Sequence, residues 1–149
     1  MSACASAGAG FLLAVLWFDL MFDVQALGHG PHALPERVLA SIAAYYGRVT
    51  TAARPMNRLV AAVMLATLAG IVVEIVHGAD NEWAAWASLA LALPAIALAG
   101  GHTVPSAVRL GARADGAERQ SALARAICRD HLLCAGAIGG VLVLQLAFL

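Results

Sequence analysis

The chain contains no lysine. All nine of its basic residues are arginines, and charged residues of either sign fill only 12% of its 149 positions. Soluble domains carry about 25% charge, so a water-facing globule built from this sequence would have too little polar surface to cover itself. The formal net charge of zero gives no argument for nucleic acid as a partner. Cysteine is scarce as well. Cys4, Cys128 and Cys134 are too few and too scattered for a disulfide framework or a structural zinc site. Cys128 and Cys134 fall on nearly opposite faces of one helix and cannot bridge; free, apolar-facing thiols are expected. There is no nucleophile elbow, phosphate loop, dinucleotide fingerprint or haem-attachment motif, so no cofactor is implied. Residues Met1 to Gly10 lack the basic n-region of a signal peptide. Asp19 and Asp23 also suit an h-region badly, and the first apolar segment is expected to be retained.

What the sequence has in abundance is apolar length: 62% of it is hydrophobic and the mean hydropathy is +0.82. Four apolar segments, at about residues 10–27, 59–76, 83–100 and 132–148, approach the roughly 20 residues that cross a bilayer as a helix. The arginines fall in two stretches, Arg37 to Arg58 and Arg109 to Arg129. Basic loops resist translocation, so both stretches are expected inside and both termini outside. The expected architecture is all-α: an integral membrane antiparallel four-helix bundle with amphipathic cytoplasmic helical extensions, one domain over residues 1–149. A bacterial-type inner membrane is the expected location, with membrane lipids beside the arginine-rich loops.

Local signals fill in this plan. Gly28 and Pro31 stop the first span, and a helix of mixed character is expected from Pro35 to Ala53, with Val38, Leu39, Ile42 and Tyr45 at helical spacing. Pro55 breaks the chain before the second span. Trp83 and Trp86 open the third span at headgroup depth, and that span is expected to end at Gly100. Glu118 to Arg129 should run as a helix straight into the fourth. Gly136 with Gly140, Ala135 with Gly139, and Ala66 with Gly70 form small-xxx-small pairs, which let membrane helices approach closely. Those surfaces could serve contacts within the bundle, a homo-oligomer or a membrane protein partner.

Polar groups at membrane depth carry the functional argument. Asp19 and Asp23 share one helix face, and Asp19 sits near mid-membrane. An acidic group there costs about 2.5–3.5 kcal/mol and normally faces a bundle interior. A proton, a cation or a basic partner must compensate it, with Arg48, Arg54, Arg58, Arg129 and His131 as candidates. Tyr45, Arg48 and Thr51 lie on one helical face and could hold an oxygen-bearing ligand; Arg54 and Arg58 lie on another. The alternative for all of these is structural: buried acid–base pairs that hold register, and tyrosines and arginines that anchor at the interface. Glu74 and His77 have the Glu-x-x-His spacing of di-iron bundles but no second copy. His29, His32, His102 and His131 lack a recognised ligand spacing, so no metal is expected.

The whole-chain plan resembles the anthrone-oxygenase-like family of small four-helix membrane proteins. The likeness runs through span one, the arginine-bearing stretch Tyr45 to Arg58, the segment His102-Thr103-Val104-Pro105 and the entry Arg125 to His131. The resemblance implies a membrane pocket of the kind used for cofactor-free oxidation of aromatic polyketides. Two functions follow as expectations. One is a pocket that binds or oxidises a lipophilic aromatic molecule, with Asp19, Asp23 and His131 catalytic: Asp19 as proton acceptor, His131 and the arginines stabilising negative charge on oxygen. Tyr45, Arg48, Thr51, Arg54 and Arg129 would bind the ligand. The other is a non-enzymatic partner subunit or a small proton-coupled carrier.

Overall fold

Long uninterrupted apolar runs leave the backbone no option but to satisfy itself internally, and the chain does so as helices throughout. The computed structural model describes residues 2–30 and 32–149, apart from the side chains of Ser2 and Arg54. Pro31, expected as a stop for the first span, lies outside the described residues. The helices are α1 (Ser2–Asp23), α2 (Glu36–Tyr46), α3 (Arg54–Val76), α4 (Glu82–Leu98), α5 (Val104–Ala112) and α6 (Ala117–Phe148). A 3-10 turn (Val24–Ala26) extends α1, and π turns at Gly47–Ala52 and Ala99–Thr103 follow α2 and join α4 to α5. No strand occurs among the described residues.

Among the described residues, four helices are long and apolar enough to cross a membrane. They close a ring in which α1 packs against α3 and α6, and α4 packs against the same two. Small residues set the spacing. A methyl group added at Gly70 would touch Ala5 at 3.5 Å, and one added at Gly140 would meet Leu91 at 3.0 Å. Most of the outer surface is apolar, with Trp17, Leu65, Val76, Val143 and Leu146 exposed. The Asn81 amide donates to the Phe148 carbonyl at 2.7 Å, and Trp83 meets the Phe148 ring edge-on at 4.9 Å. The α3–α4 turn and the end of α6 therefore lie at one end of the bundle, and all the arginines lie toward the other.

Two helical columns outrun the bilayer. At 1.5 Å per residue the 32 residues of α6 reach about 48 Å, against a hydrocarbon thickness of about 30 Å. The column Glu82–Ala112 is nearly as long. The sequence suggested an end at Gly100, but the helix continues through Gly100 and Gly101 because the chain widens there into a π turn. Pro105 has no N–H to donate and crowds the preceding turn. Widening the turn ahead of it relieves both defects without breaking the column.

The overhang is covered by α2. Its buried face, Val38, Leu39, Ile42, Ala43 and Tyr46, packs on Ala107 and Leu110 of α5 and on Leu123, Ala124 and Ile127 of α6. A separate apolar cluster (Leu12, Ile71, Ala92, Ile138 and Val141 among its members) fills the membrane part. The molecule thus has two cores, one above the other. Arginines tie the upper one together: Arg113 to Glu36 at 2.8 Å, and Arg125 to the carbonyls of Gly30 and His32, each at 2.7 Å.

Among the glycines, the closest approach to another backbone is between α5 and the start of the π turn after α2. A methyl added at Gly111 would sit 2.7 Å from the Gly47 nitrogen and 3.0 Å from its Cα, and backbone cannot give way. Gly111→Ala should therefore cost about 1–3 kcal/mol. Gly101→Ala, where nothing lies within 4 Å, should be neutral or slightly stabilising. Thermal unfolding in detergent checks both.

Candidate functional site

The floor of the upper core and the roof of the lower one meet at a layer of polar side chains. Asp19 and Asp23, four residues apart on α1, face α2 and α6 across that layer. Asp23 is fully buried, and both of its oxygens are engaged. The Tyr46 hydroxyl donates to Oδ1 at 2.6 Å, and Nδ1 of His131 lies 2.6 Å from Oδ2. A carboxylate at that distance accepts the proton on Nδ1. His131 Nε2 faces Asp19 Oδ2 at 3.8 Å, so the ring stands between the two carboxylates of α1. Asp19 is only partly buried; its Oδ1 accepts from the Tyr45 hydroxyl at 2.6 Å. The Phe22 ring stacks on Tyr45 with centroids 4.1 Å apart and holds that phenol in place.

Both tyrosines belong to α2, outside the spanning helices. Burial, reinforced by the hydrogen bond and charge of Asp19, holds the Tyr45 hydroxyl above its ordinary range. Burial and the charges of Asp23 and Asp19 act the same way on Tyr46. Each phenol therefore stays protonated and remains a donor to its carboxylate at any physiological pH.

Next to His131 on α6, Asp130 turns the other way. It is buried, and its Oδ2 meets His102 Nδ1 at 2.5 Å and accepts from the Thr103 hydroxyl at 3.2 Å. The π turn Ala99–Thr103 supplies both of those partners. A third buried station lies toward the opposite end, where Gln145 Nε2 donates to Glu74 Oε2 at 2.9 Å and approaches the Ser88 hydroxyl at 3.5 Å.

A cleft opens from the first station into the bundle. Its larger lobe, about 300 Å³, lies against Tyr45, Tyr46, Phe18 and Met56. Its smaller lobe, about 100 Å³, runs down between Leu12, Met64 and Ile138. Asp19, His131, Val15, Val60, Thr103 and Val104 border both.

The structure brings Asp19, Asp23, Tyr45 and His131 together. It does not bring in Arg48, Thr51 or Arg129, which are all exposed. Arg48 and Thr51 were expected on the Tyr45 face by α-helical spacing, but the π turn Gly47–Ala52 has more residues per turn and rotates both away. Arg129 reaches only the edge of Asp130, at 3.4 Å. Arg58 is exposed too, and the Arg54 side chain lies outside the described residues. The acids of α1 are thus met by two phenols and by the His131 imidazole, one of the expected basic partners, and among the described side chains by no guanidinium. Sequence reasoning passed over Tyr46, Thr103, Asp130 and Gln145. Tyr46 was signalled only by its neighbour Tyr45, and Asp130 was hidden in a run of solvent-facing charges.

Residues 5–148 match the model of a family of membrane chaperones described as SHR3 chaperone, ER membrane protein SH3. The chain belongs to this family. Comparison with curated proteins and with solved structures gives no match. The match overturns the resemblance to the anthrone-oxygenase-like proteins. What carried that resemblance (four spans, an arginine-bearing stretch before the second, a proline after the third) is the general plan of a four-span protein. The more specific marks were missing: Ser106 and Ala107 follow Pro105 where that family tends to have asparagine, and the tryptophan often found before its fourth span is absent. The family's description also names the ER membrane, in place of a bacterial-type inner membrane.

The two tyrosines should separate in their contribution to stability. Tyr46→Phe strands a fully buried carboxylate oxygen, a loss of about 1–3 kcal/mol. Tyr45→Phe touches a carboxylate that solvent can reach, and should cost under about 1 kcal/mol. Denaturant unfolding of the two variants in the same detergent measures the difference.

Proposed function

We propose that the protein is a non-enzymatic chaperone or partner subunit of the ER membrane, which holds another membrane protein through the outer face of α6. The observation that carries this reading is an open small-residue surface. Methyl groups added at Gly136 and Gly139 would meet nothing within 4 Å, whereas those at Gly70 and Gly140 would press on neighbouring helices of the same chain. Leu132, Leu133, Val143 and Leu146, on the same exposed part of α6, stand around these glycines. In lipid, a notch between apolar side chains lets a second helix approach closely and gain dispersion contacts. The family description, a chaperone and an ER membrane protein, supports the same reading. The polar layer then serves to lock α1, α2 and α6 so that the outer face of α6 is presented in one orientation.

Gly136→Leu fills the notch without touching the chain's own helices. It should abolish crosslinking to the partner protein in native membranes while leaving thermal stability within about 0.5 kcal/mol of wild type. Unchanged crosslinking would reject the α6 surface.

The orientation belongs to the same proposal. The arginine-rich end, with α2, α5 and the first half of α6, faces the cytosol, and the turn Gly78 to Asn81 faces the lumen. In a Cys4→Ser background, Arg113→Cys should react with a membrane-impermeant maleimide in sealed right-side-out microsomes. Asp80→Cys should react only after the microsomes are opened.

A further inference from the structure

Helices α1 and α3 run antiparallel, and small residues bring them together only in the half away from the arginines. A methyl added at Gly70 would meet Ala5 at 3.5 Å, and one added at Gly8 would run into the Thr67 side chain. Farther along the pair, Leu12 and Leu16 of α1 and Val60 and Met64 of α3 line the smaller lobe of the cleft, so the two helices stand apart there. The larger lobe follows toward α2. It is bordered by Phe18 and Met56, which are 61% and 48% exposed, and by the exposed Asn57. All three belong to the spanning segments, so the cleft opens sideways, between α1 and the start of α3, into the leaflet on the arginine-bearing side.

The lobes differ in chemistry. Apart from the shared boundary and the Cys134 thiol, the smaller one is walled by aliphatic side chains of α1, α3, α4 and α6. Half of the residues lining the larger one are polar. Its charged members already have company: Asp19 Oδ2 faces His131 Nε2 at 3.8 Å, and the Tyr45 hydroxyl donates to Asp19 Oδ1. An occupant therefore need bring no charge, and an anionic one would be set against the Asp19 carboxylate. The Tyr45 and Thr50 hydroxyls are committed as donors, to Asp19 and to the Tyr46 carbonyl, but each oxygen keeps a lone pair that can accept. The Asn57 amide offers both donors and an acceptor at the rim. A wholly apolar occupant would strip water from this wall and return no hydrogen bond. A hydroxyl returns one as donor and another as acceptor.

We infer that this cleft binds a single-chain lipid with an uncharged hydroxyl head, which sits against Tyr45, Thr50 and Asn57 in the larger lobe while the end of the chain reaches into the smaller one. The lobes, about 300 Å³ and 100 Å³, fall at the lower end of the range for small-molecule sites and leave no room for a two-chain lipid. The gradient of polarity in the cleft runs the same way as that of the leaflet beside it. A membrane alcohol thus enters between Phe18 and Met56 without turning over. The site lies between α1 and α3, so it does not depend on the outer face of α6 or on the partner reading.

The test photolabels the full chain in phosphatidylcholine nanodiscs with n-decanol carrying a diazirine near the end of its tail, and maps the labelled residues by mass spectrometry. Label should saturate with dose and concentrate on residues of the smaller lobe, such as Met64 and Ile138. Unlabelled decanol should displace it, and decanoate, matched for its concentration in the lipid, should do so at least roughly tenfold less well. Val60→Trp places an indole where the two lobes meet and should abolish labelling in the cleft. If Val60→Trp does not fold, the wild-type label map and the competition decide the matter. Label confined to lipid-facing residues such as Leu65, Val143 and Leu146 overturns the assignment. So does equal displacement by decanoate, or undiminished cleft labelling in a folded Val60→Trp variant.

Discussion

The structure depends on a carboxylate that has no access to water. Asp23 lies at the end of α1, where the membrane core gives way to the core beneath α2, and it is fully buried. Leaving it unpaired there would cost several kcal/mol. The chain meets the demand from two directions, with the Tyr46 hydroxyl of α2 and the His131 imidazole of α6. One residue therefore fixes the relative placement of three elements that are far apart in sequence. A leucine at this position would stabilise contact without specifying it, since dispersion has little directional preference. A buried acid is satisfied only when both partners arrive in register.

The same constraint explains why the molecule has two cores. The columns α4–α5 and α6 extend past the hydrocarbon, and their buried stripes, including Leu110, Leu123 and Ile127, need a cover. Helix α2 supplies one, but eleven residues form a marginal helix by themselves. Its docking rests on the apolar face, on the close crossing at Gly47 and Gly111, and on the two tyrosines at its last turn. The polar layer is thus the seam along which a water-facing cap is joined to a lipid-facing bundle. Asp130, with His102 and Thr103, makes a second joint in that seam on the far side of α6. The cleft opens at the seam because apolar packing gives way to hydrogen bonding there and leaves room between the lobes.

The fold class was legible in the sequence because membrane insertion imposes a coarse signal: apolar runs of fixed length and arginines on one side. Asp19, Asp23 and His131 stood out for a related reason, since ionisable groups are rare at such depths. What could not be read depended on local departures from α-helical spacing. The π turn at Gly47–Ala52 moved Arg48 and Thr51 off the Tyr45 face. The π turn at Ala99–Thr103 carried the helix past two glycines that looked like a stop. Gln145 carries no charge and passes unnoticed in an apolar run, although it pairs with Glu74. The family was hidden for a different reason: four spans and basic loops describe many unrelated membrane proteins.

The most direct test is hydrogen exchange in nanodiscs, comparing wild type with Asp23→Ala. That substitution removes the partner of both Tyr46 and His131. If the buried carboxylate holds cap to bundle, amides of α2 should lose protection while those of α3 and α4 keep theirs. Unchanged protection across residues 36–46, or a uniform loss over every helix, would contradict the account.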